Sequence, residues 1–197
     1  VEHDPLVAER APLLYETMPH IAYPQIRNRG TIGGSLAHAD PAAELAAVSV
    51  ALDGRFRLRS QAGERWVPAN EFFIGLFTTV LEPDELLVEV ALPPLPPRSG
   101  YSFLEITRRH HDFAMAGVAA VVTVDGDGRC EQARLVFLAV GDGPVEAQQA
   151  AATLRGQKPT PEAIAAAADT AASADVDPGS DIHASAEYRR HLVGVLA

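Results

Sequence analysis

The sequence predicts an α+β fold, and three patterns carry that expectation. Pro-led helix starts occupy the first fifty residues, short alternating strands bounded by glycine turns fill the middle, and alanine-rich helical runs follow residue 144. Residues 4–18, DPLVAERAPLLYETM, contain two successive helix starts, with Asp4 as cap, Pro5 as first helical residue, and Leu6, Val7, Leu13, Leu14 and Met18 as packing positions. Asp40 and Pro41 predict a third start, opening the run AAELAAVSVAL. FRLRS (56–60) alternates strictly and returns through QAG to ERWVP, which reads as a hairpin over 55–68 with Trp66 in core or subunit-interface packing. EFFIGLFTTV fits a short helix or turn followed by extended chain, and ELLVEVAL (85–92) is a strand ended by prolines.

The stretch PPLPPRSG (93–100) cannot continue either regular structure, so the chain divides there into units 1–97 and 98–197. The second unit predicts three antiparallel strands, YSFLEITR, AMAGVAAVVTV and ARLVFLAV, with Asp125-Gly126-Asp127-Gly128 turning between the last two. One face of that sheet needs cover. Three helices are expected to supply it: VEAQQAAATLRG, PEAIAAAADTAASA capped by Thr160, and AEYRRHLVGVL.

Composition narrows the function classes. A net charge of −10 over 197 residues leaves no basic stripe for nucleic acid and disfavours acidic membranes. No apolar run approaches the roughly 18 residues of a membrane span, and no signal-peptide pattern opens the chain, so a soluble, cytoplasmic protein is expected. The single cysteine, Cys130, excludes a disulfide framework and any cysteine-ligated cluster within the chain. A start at Val1, running straight into a helix cap, reads as the middle of something larger or a processed piece.

The densest chemistry lies in Pro24–Glu44, PQIRNRGTIGGSLAHADPAAE. Gly33 and Gly34 remove Cβ from two successive residues, so a turn there can bring amides close to a ligand, and Arg27 and Arg29 precede it. Neither G-x-x-x-x-G-K-[ST] nor G-x-G-x-x-G occurs, which argues against kinase, GTPase and Rossmann readings. Seven histidines invite a metal, but there is no HExxH, and His110 and His111 as neighbours on a strand would point to opposite faces. No G-x-S-x-G elbow is present either. The loop RRHHDFA (108–114) gathers charge and an aromatic between two strands, where ligand contacts concentrate.

Taken together, QIRNRGTIGGSLAHADPAAE, FF-x-G-x-F-x-T-x-L-x-P-x-ELL-x-E-V-x-L-P and RR-x-x-DFA-x-x-x-VAA resemble the FAD-binding medium subunit of the molybdenum hydroxylases, the family of carbon monoxide and xanthine dehydrogenases. The resemblance spans essentially the whole chain. It implies the second α/β subdomain of a PCMH-type flavin domain followed by a C-terminal domain with a three-stranded sheet and helices. It also implies FAD as cofactor, a 2Fe-2S small subunit and a molybdopterin-binding large subunit as partners, and electron flow from iron-sulfur clusters through FAD to an external acceptor.

Mapped by the resemblance, Thr31, Ile32, Gly33, Gly34 and Ser35 lie against the flavin diphosphate, and Ile21 is an apolar contact ahead of them. Glu44 stands where relatives usually carry Asp, Leu87 lines the flavin or adenine region, and Phe113 lies near the isoalloxazine ring. No side chain is assigned acid-base chemistry, because the cofactor does the redox work. The chain departs from the family pattern twice: it has no earlier A-G-G-x-S-L loop, and it has Leu104 and Glu105 where many relatives place a strand lysine. The alternative reading is a scaffold fragment that docks the partner subunits without holding flavin.

Overall fold

Side-chain caps set where four of the nine α-helices begin. In the computed structural model, which describes residues 1–197, α1 (Pro5–Arg10) starts where the Asp4 carboxylate accepts the Leu6 amide at 2.9 Å. Helix α2 (Pro12–Thr17) follows from Pro12 and runs into a 3-10 turn, Met18–His20. Leu13, Leu14 and Met18 from this stretch are buried, whereas Leu6 is exposed. A short α3 (Pro24–Arg27) leads to α4 (Ile32–His38).

Two starts in the first fifty residues differ from the sequence expectation. Gly33 and Gly34 are not in an open turn. They form the first turn of α4, because Thr31 Oγ1 accepts the Gly34 amide at 3.0 Å and caps the helix. The next helix, α5 (Glu44–Ala51), begins three residues beyond Pro41. Ala39 closes α4 in the left-handed region at φ 51, and Asp40 then spends its carboxylate on the Ala42 amide at 2.9 Å, so Asp40-Pro41 makes a turn instead of a cap.

The expected hairpin forms as β1 (Arg55–Arg59) and β2 (Glu64–Pro68), and β5 (Leu86–Ala91) pairs with β1 on its other side to give the antiparallel order β2-β1-β5. Phe56 and Leu58 point inward and are fully buried. Trp66 does not join the core. It lies 42% exposed on the outer face, where the guanidinium groups of Arg55 and Arg57 sit 5.2 and 5.8 Å from its ring centroid. Between β2 and β5, α6 (Ala69–Phe72) leads into a small hairpin, β3 (Phe73–Gly75) and β4 (Thr78–Thr79).

The second sheet contains the three expected strands, β6 (Ser99–Thr107), β7 (Ala114–Val124) and β8 (Cys130–Leu138), plus a fourth, β9 (Val145–Glu146). Val145 and Glu146, expected as helix, pair instead with Phe137 and Val136, and the Ala147 amide continues the ladder to the Leu135 carbonyl. Helix α7 is correspondingly shorter, Gln148–Leu154. Helix α8 (Pro161–Thr170), capped by Thr160, passes into a π turn at Ala171–Asp175, and α9 (Ala186–Leu196) ends the chain.

This sheet is covered on both faces, where one covered face was expected. Alternation along β7 sends Val118 to a core shared with Phe137, Val140, Leu192 and Val193, and Ala119 and Val121 to a core shared with Leu13, Val48, Phe56 and Phe103. The second of these joins the two halves of the chain. At its margin the Glu16 carboxylate accepts the Phe103 amide on the outer edge of β6 at 3.3 Å. At the opposite end, buried Arg189 of α9 donates to the carbonyls of Met115 and Ala139 at 2.5 and 2.7 Å and to Asp181 at 2.7 Å. No helix is long and apolar enough to cross a membrane.

Candidate functional site

A cleft of about 1040 Å³ opens where α4 begins. Its lining includes an apolar wall group, Met18, Ile21, Ile26 and Leu45, and a polar one, Asn28, Arg29, Thr31, Gly34 and Ser35, with Glu2 and Asp4 at the N-terminal side. The polar wall has spare donors. Capping consumes the Gly34 amide and the first helical bond takes the Ser35 amide, which leaves the amides of Ile32 and Gly33 without an acceptor in the protein. A Cβ on Gly34 would stand 2.8 Å from Thr31 Oγ1, so any side chain there displaces the cap. Behind Gly33 lies Leu87 of β5, whose carbonyl would be 3.9 Å from an added Cβ.

The two arginines have different situations. Arg27 is committed: its guanidinium forms a two-pronged pair with Glu2 at 2.7 and 2.9 Å and donates to the carbonyls of Ile21 and Ala22 at 2.9 and 2.7 Å. It thereby fixes the bend at Ala22, whose φ is 40, and holds Ile21 on the cleft wall. Arg29 lines the same cleft, is exposed, and forms no ion pair.

The structure therefore brings Ile21, Thr31, Ile32, Gly34 and Ser35 to one cleft, with Gly33 and Leu87 in contact behind it. Glu44 is one residue from the wall residue Leu45; burial pushes its carboxyl up to about 6, with the charge of Asp40 adding to the shift. Phe113 is not on this cleft. It lies 61% exposed on a neighbouring hollow of about 560 Å³, shared with Phe77, and its ring is 6.3 Å from that of His183. The ring pair His38–Phe77, 5.1 Å apart, stands between the two hollows, since His38 lines the first and Phe77 the second. The 108–113 loop also meets the segment between Ile21 and Ile26, through His111 against Tyr23 at 5.2 Å.

Sequence reasoning placed Arg27 and Arg29 next to the glycines without separating the structural arginine from the free one. The distant Glu2 is what separates them, and spacing gives no sign of that contact. Removing the cap with Thr31→Ala is expected to cost about 1 kcal/mol in thermal unfolding, with Thr31→Ser retaining most of the stability.

Known proteins share both the sequence and this architecture. Residues 1–95 match the family described as FAD binding domain in molybdopterin dehydrogenase, and residues 101–197 match the CO dehydrogenase flavoprotein C-terminal domain. The chain is 44% identical over 190 residues to the 6-hydroxypseudooxynicotine dehydrogenase complex subunit alpha of Paenarthrobacter nicotinovorans, covering 96% of this chain and 64% of that one. It is 37% identical over 200 residues to the carbon monoxide dehydrogenase medium chain of Hydrogenophaga pseudoflava, covering 100% and 69%. The solved carbon monoxide dehydrogenase from Hydrogenophaga pseudoflava superposes with a TM-score of 0.93 at 37% identity, covering 98% of this chain and 67% of that chain. Quinoline 2-oxidoreductase from Pseudomonas putida 86 superposes at 0.91 and 37% identity, covering 99% and 67%. The chain thus spans about two thirds of the length of these relatives. With both of its halves matched in order, it belongs to the FAD-binding medium subunits of the molybdenum hydroxylase-type dehydrogenases.

Proposed function

We propose that the cleft holds the diphosphate and ring system of FAD, and that the chain is the electron-transfer member of a cytoplasmic molybdenum hydroxylase. In this reading electrons arrive from the 2Fe-2S clusters of a small partner subunit, fed by a molybdopterin-binding large subunit, and leave to an external acceptor. One arrangement supports it above all: the unpartnered Ile32 amide and the unpaired Arg29 share a cleft with apolar lining residues, and the unpartnered Gly33 amide lies next to Ile32 in the same helix turn. Anion donors and apolar side chains in one cleft suit a diphosphate joined to a heteroaromatic ring. Bound FAD supplies one- and two-electron chemistry; the chain binds, orients and shields it.

Each site residue then has a task. Thr31 fixes the helix start so that the Ile32 and Gly33 amides stay available, and Gly34 keeps that cap clear. Ser35 adds a hydroxyl to the polar wall. Ile21, held by Arg27, gives the ring an apolar surface. Leu87 supports Gly33 from behind, Glu44 supports Leu45, and Phe113 flanks the site across the His38–Phe77 pair. The division between the flavin domain and the C-terminal domain is assigned to residues 97 and 98, just ahead of β6.

Arg29→Gln tests the polar wall. A charged hydrogen bond contributes about 1.5–3 kcal/mol, so FAD affinity, read by flavin fluorescence, is expected to fall by roughly 10- to 100-fold. Riboflavin has no phosphate, and its affinity is expected to stay the same. The reading fails if the chain, assembled with its partner subunits and the rest of its own subunit, retains no FAD. Stable assembly in that flavin-free state would instead establish the scaffold alternative.

A further inference from the structure

Where the N-terminal helices meet β6, several elements bring acids and imidazoles together. Glu105 comes from β6, His20 from the 3-10 turn, Glu44 from the start of α5 with Asp40 ahead of it, and Glu16 from α2. His110 and His111 face His20 from the loop after β6, and their charges, like that of Glu16, reach it. The Glu105 side chain is 5% exposed. Its Oε1 lies 3.5 Å from His20 Nδ1, and its Oε2 is buried with no hydrogen-bond partner. Opposite it on β7 stands Gly117, where an added Cβ would come within 3.0 Å of Glu105 Cβ, so a larger residue there would crowd the base of the Glu105 side chain.

An ionised carboxylate with a buried, empty oxygen is unfavourable, and no lysine or arginine pairs with Glu44 or Glu105 to offset it. The neutral acid resolves the conflict. Burial, and then the neighbouring Glu44 charge, push Glu105 up to about 8. Burial lowers His20, so the imidazole beside it is neutral at pH 7.

We propose that Glu105, with Glu44 and His20, is a proton-binding site that locks the seam between the N-terminal helices and β6. With the proton on Glu105, the nearby charge of Glu44 meets a neutral acid and is not repelled. When the proton leaves, the buried charge on Glu105 lacks a partner for its inner oxygen and is repelled by Glu44, which loosens the packing of this seam. Leu45 and Ile21 follow Glu44 and His20 directly in sequence, so the apolar wall of the cleft moves with them. The direction with pH follows from linkage. Because the folded-state value lies above the ordinary 4.5, the stabilisation is complete below about 4.5 and is lost as pH rises towards about 8. The lock concerns this chain alone; only its effect on flavin rests on the function proposed above.

Infrared spectroscopy of carboxyl groups combined with amide hydrogen exchange tests it on the whole chain. A protonated-carboxyl band is expected at pH 7, titrating near pH 8, absent in Glu105→Gln and shifted to lower pH in Glu44→Gln. Exchange at residues 18–21 and 103–107, corrected for its intrinsic pH dependence, is expected to accelerate across the same titration in the parent chain and not in Glu105→Gln. Absence of that band in the parent at pH 7, or identical exchange profiles for parent and variant, overturns the proposal. Should Glu105→Gln not fold, an unmoved titration in Glu44→Gln overturns it as well. FAD affinity is expected to weaken above pH 8 in the parent only; a chain that binds no FAD at any pH defeats the cleft assignment, while the infrared and exchange results still decide the lock.

Discussion

Arg189→Met is expected to destabilise the chain by about 3 kcal/mol, read as a shift of the urea midpoint with little change in slope. The side chain is 5% exposed, and its guanidinium satisfies carbonyls at the start of β7 and just beyond β8, together with Asp181. Methionine fills a similar volume but leaves both carbonyls without their charged donor, and hydrogen bonds to charged groups contribute about 1.5–3 kcal/mol each. Asp181→Asn should cost much less. Its carboxyl is half-exposed, and although burial alone pushes it up, the amides of Ala184 and His183 and the Arg189 guanidinium together hold it down at about 2. A larger loss for Asp181→Asn than for Arg189→Met would mean that the ion pair, not the two carbonyls, holds this end of the sheet.

Phe56→Ala is expected to cost about 3–5 kcal/mol, the range for a buried aromatic replaced by alanine. Phe56 is fully buried and sits at the junction of two layers, edge-on to Phe72 at 4.7 Å and to Phe73 at 6.1 Å. Those rings carry the β3–β4 hairpin, so its amides should lose hydrogen-exchange protection more than those of α9. Phe56→Leu, which keeps most of the volume, should recover more than half of the loss in thermal unfolding. Equal costs for the two variants would show that the aromatic contacts, and not filled space, stabilise this junction.

Much of this fold was legible because its signals are local. Asp4-Pro5 and Thr160-Pro161 cap helices with their own neighbours, and the alternation around Phe56 and Leu58 needs only the next strand. What could not be read depends either on which of two local conformations the backbone takes or on distant partners. Asp40-Pro41 has the letters of a helix start, yet the left-handed Ala39 and the Ala42 amide turn it into a bend. Gly33-Gly34 reads as a turn because glycine is a poor helix former, and the Thr31 cap overrides that preference. Trp66 alternates correctly, but alternation cannot tell whether a sheet face is covered. Glu105 looks like an ordinary strand charge until His20 and Glu44 converge on it from elsewhere in the chain. The same holds at the cleft: the motif marked the residues around Thr31–Ser35, while the commitment of Arg27 and the separate hollow of Phe113 arise only in three dimensions.

The Glu16 side chain bears on the behaviour of the molecule in a crowded solution. A nine-residue strand whose flank carries open amides is a template on which another chain can add, and here a carboxylate from α2 occupies one of the central positions. Its negative charge would repel an incoming backbone carbonyl as well as mask the amide, so a neutral, short residue in its place would leave that edge more open to pairing with another strand.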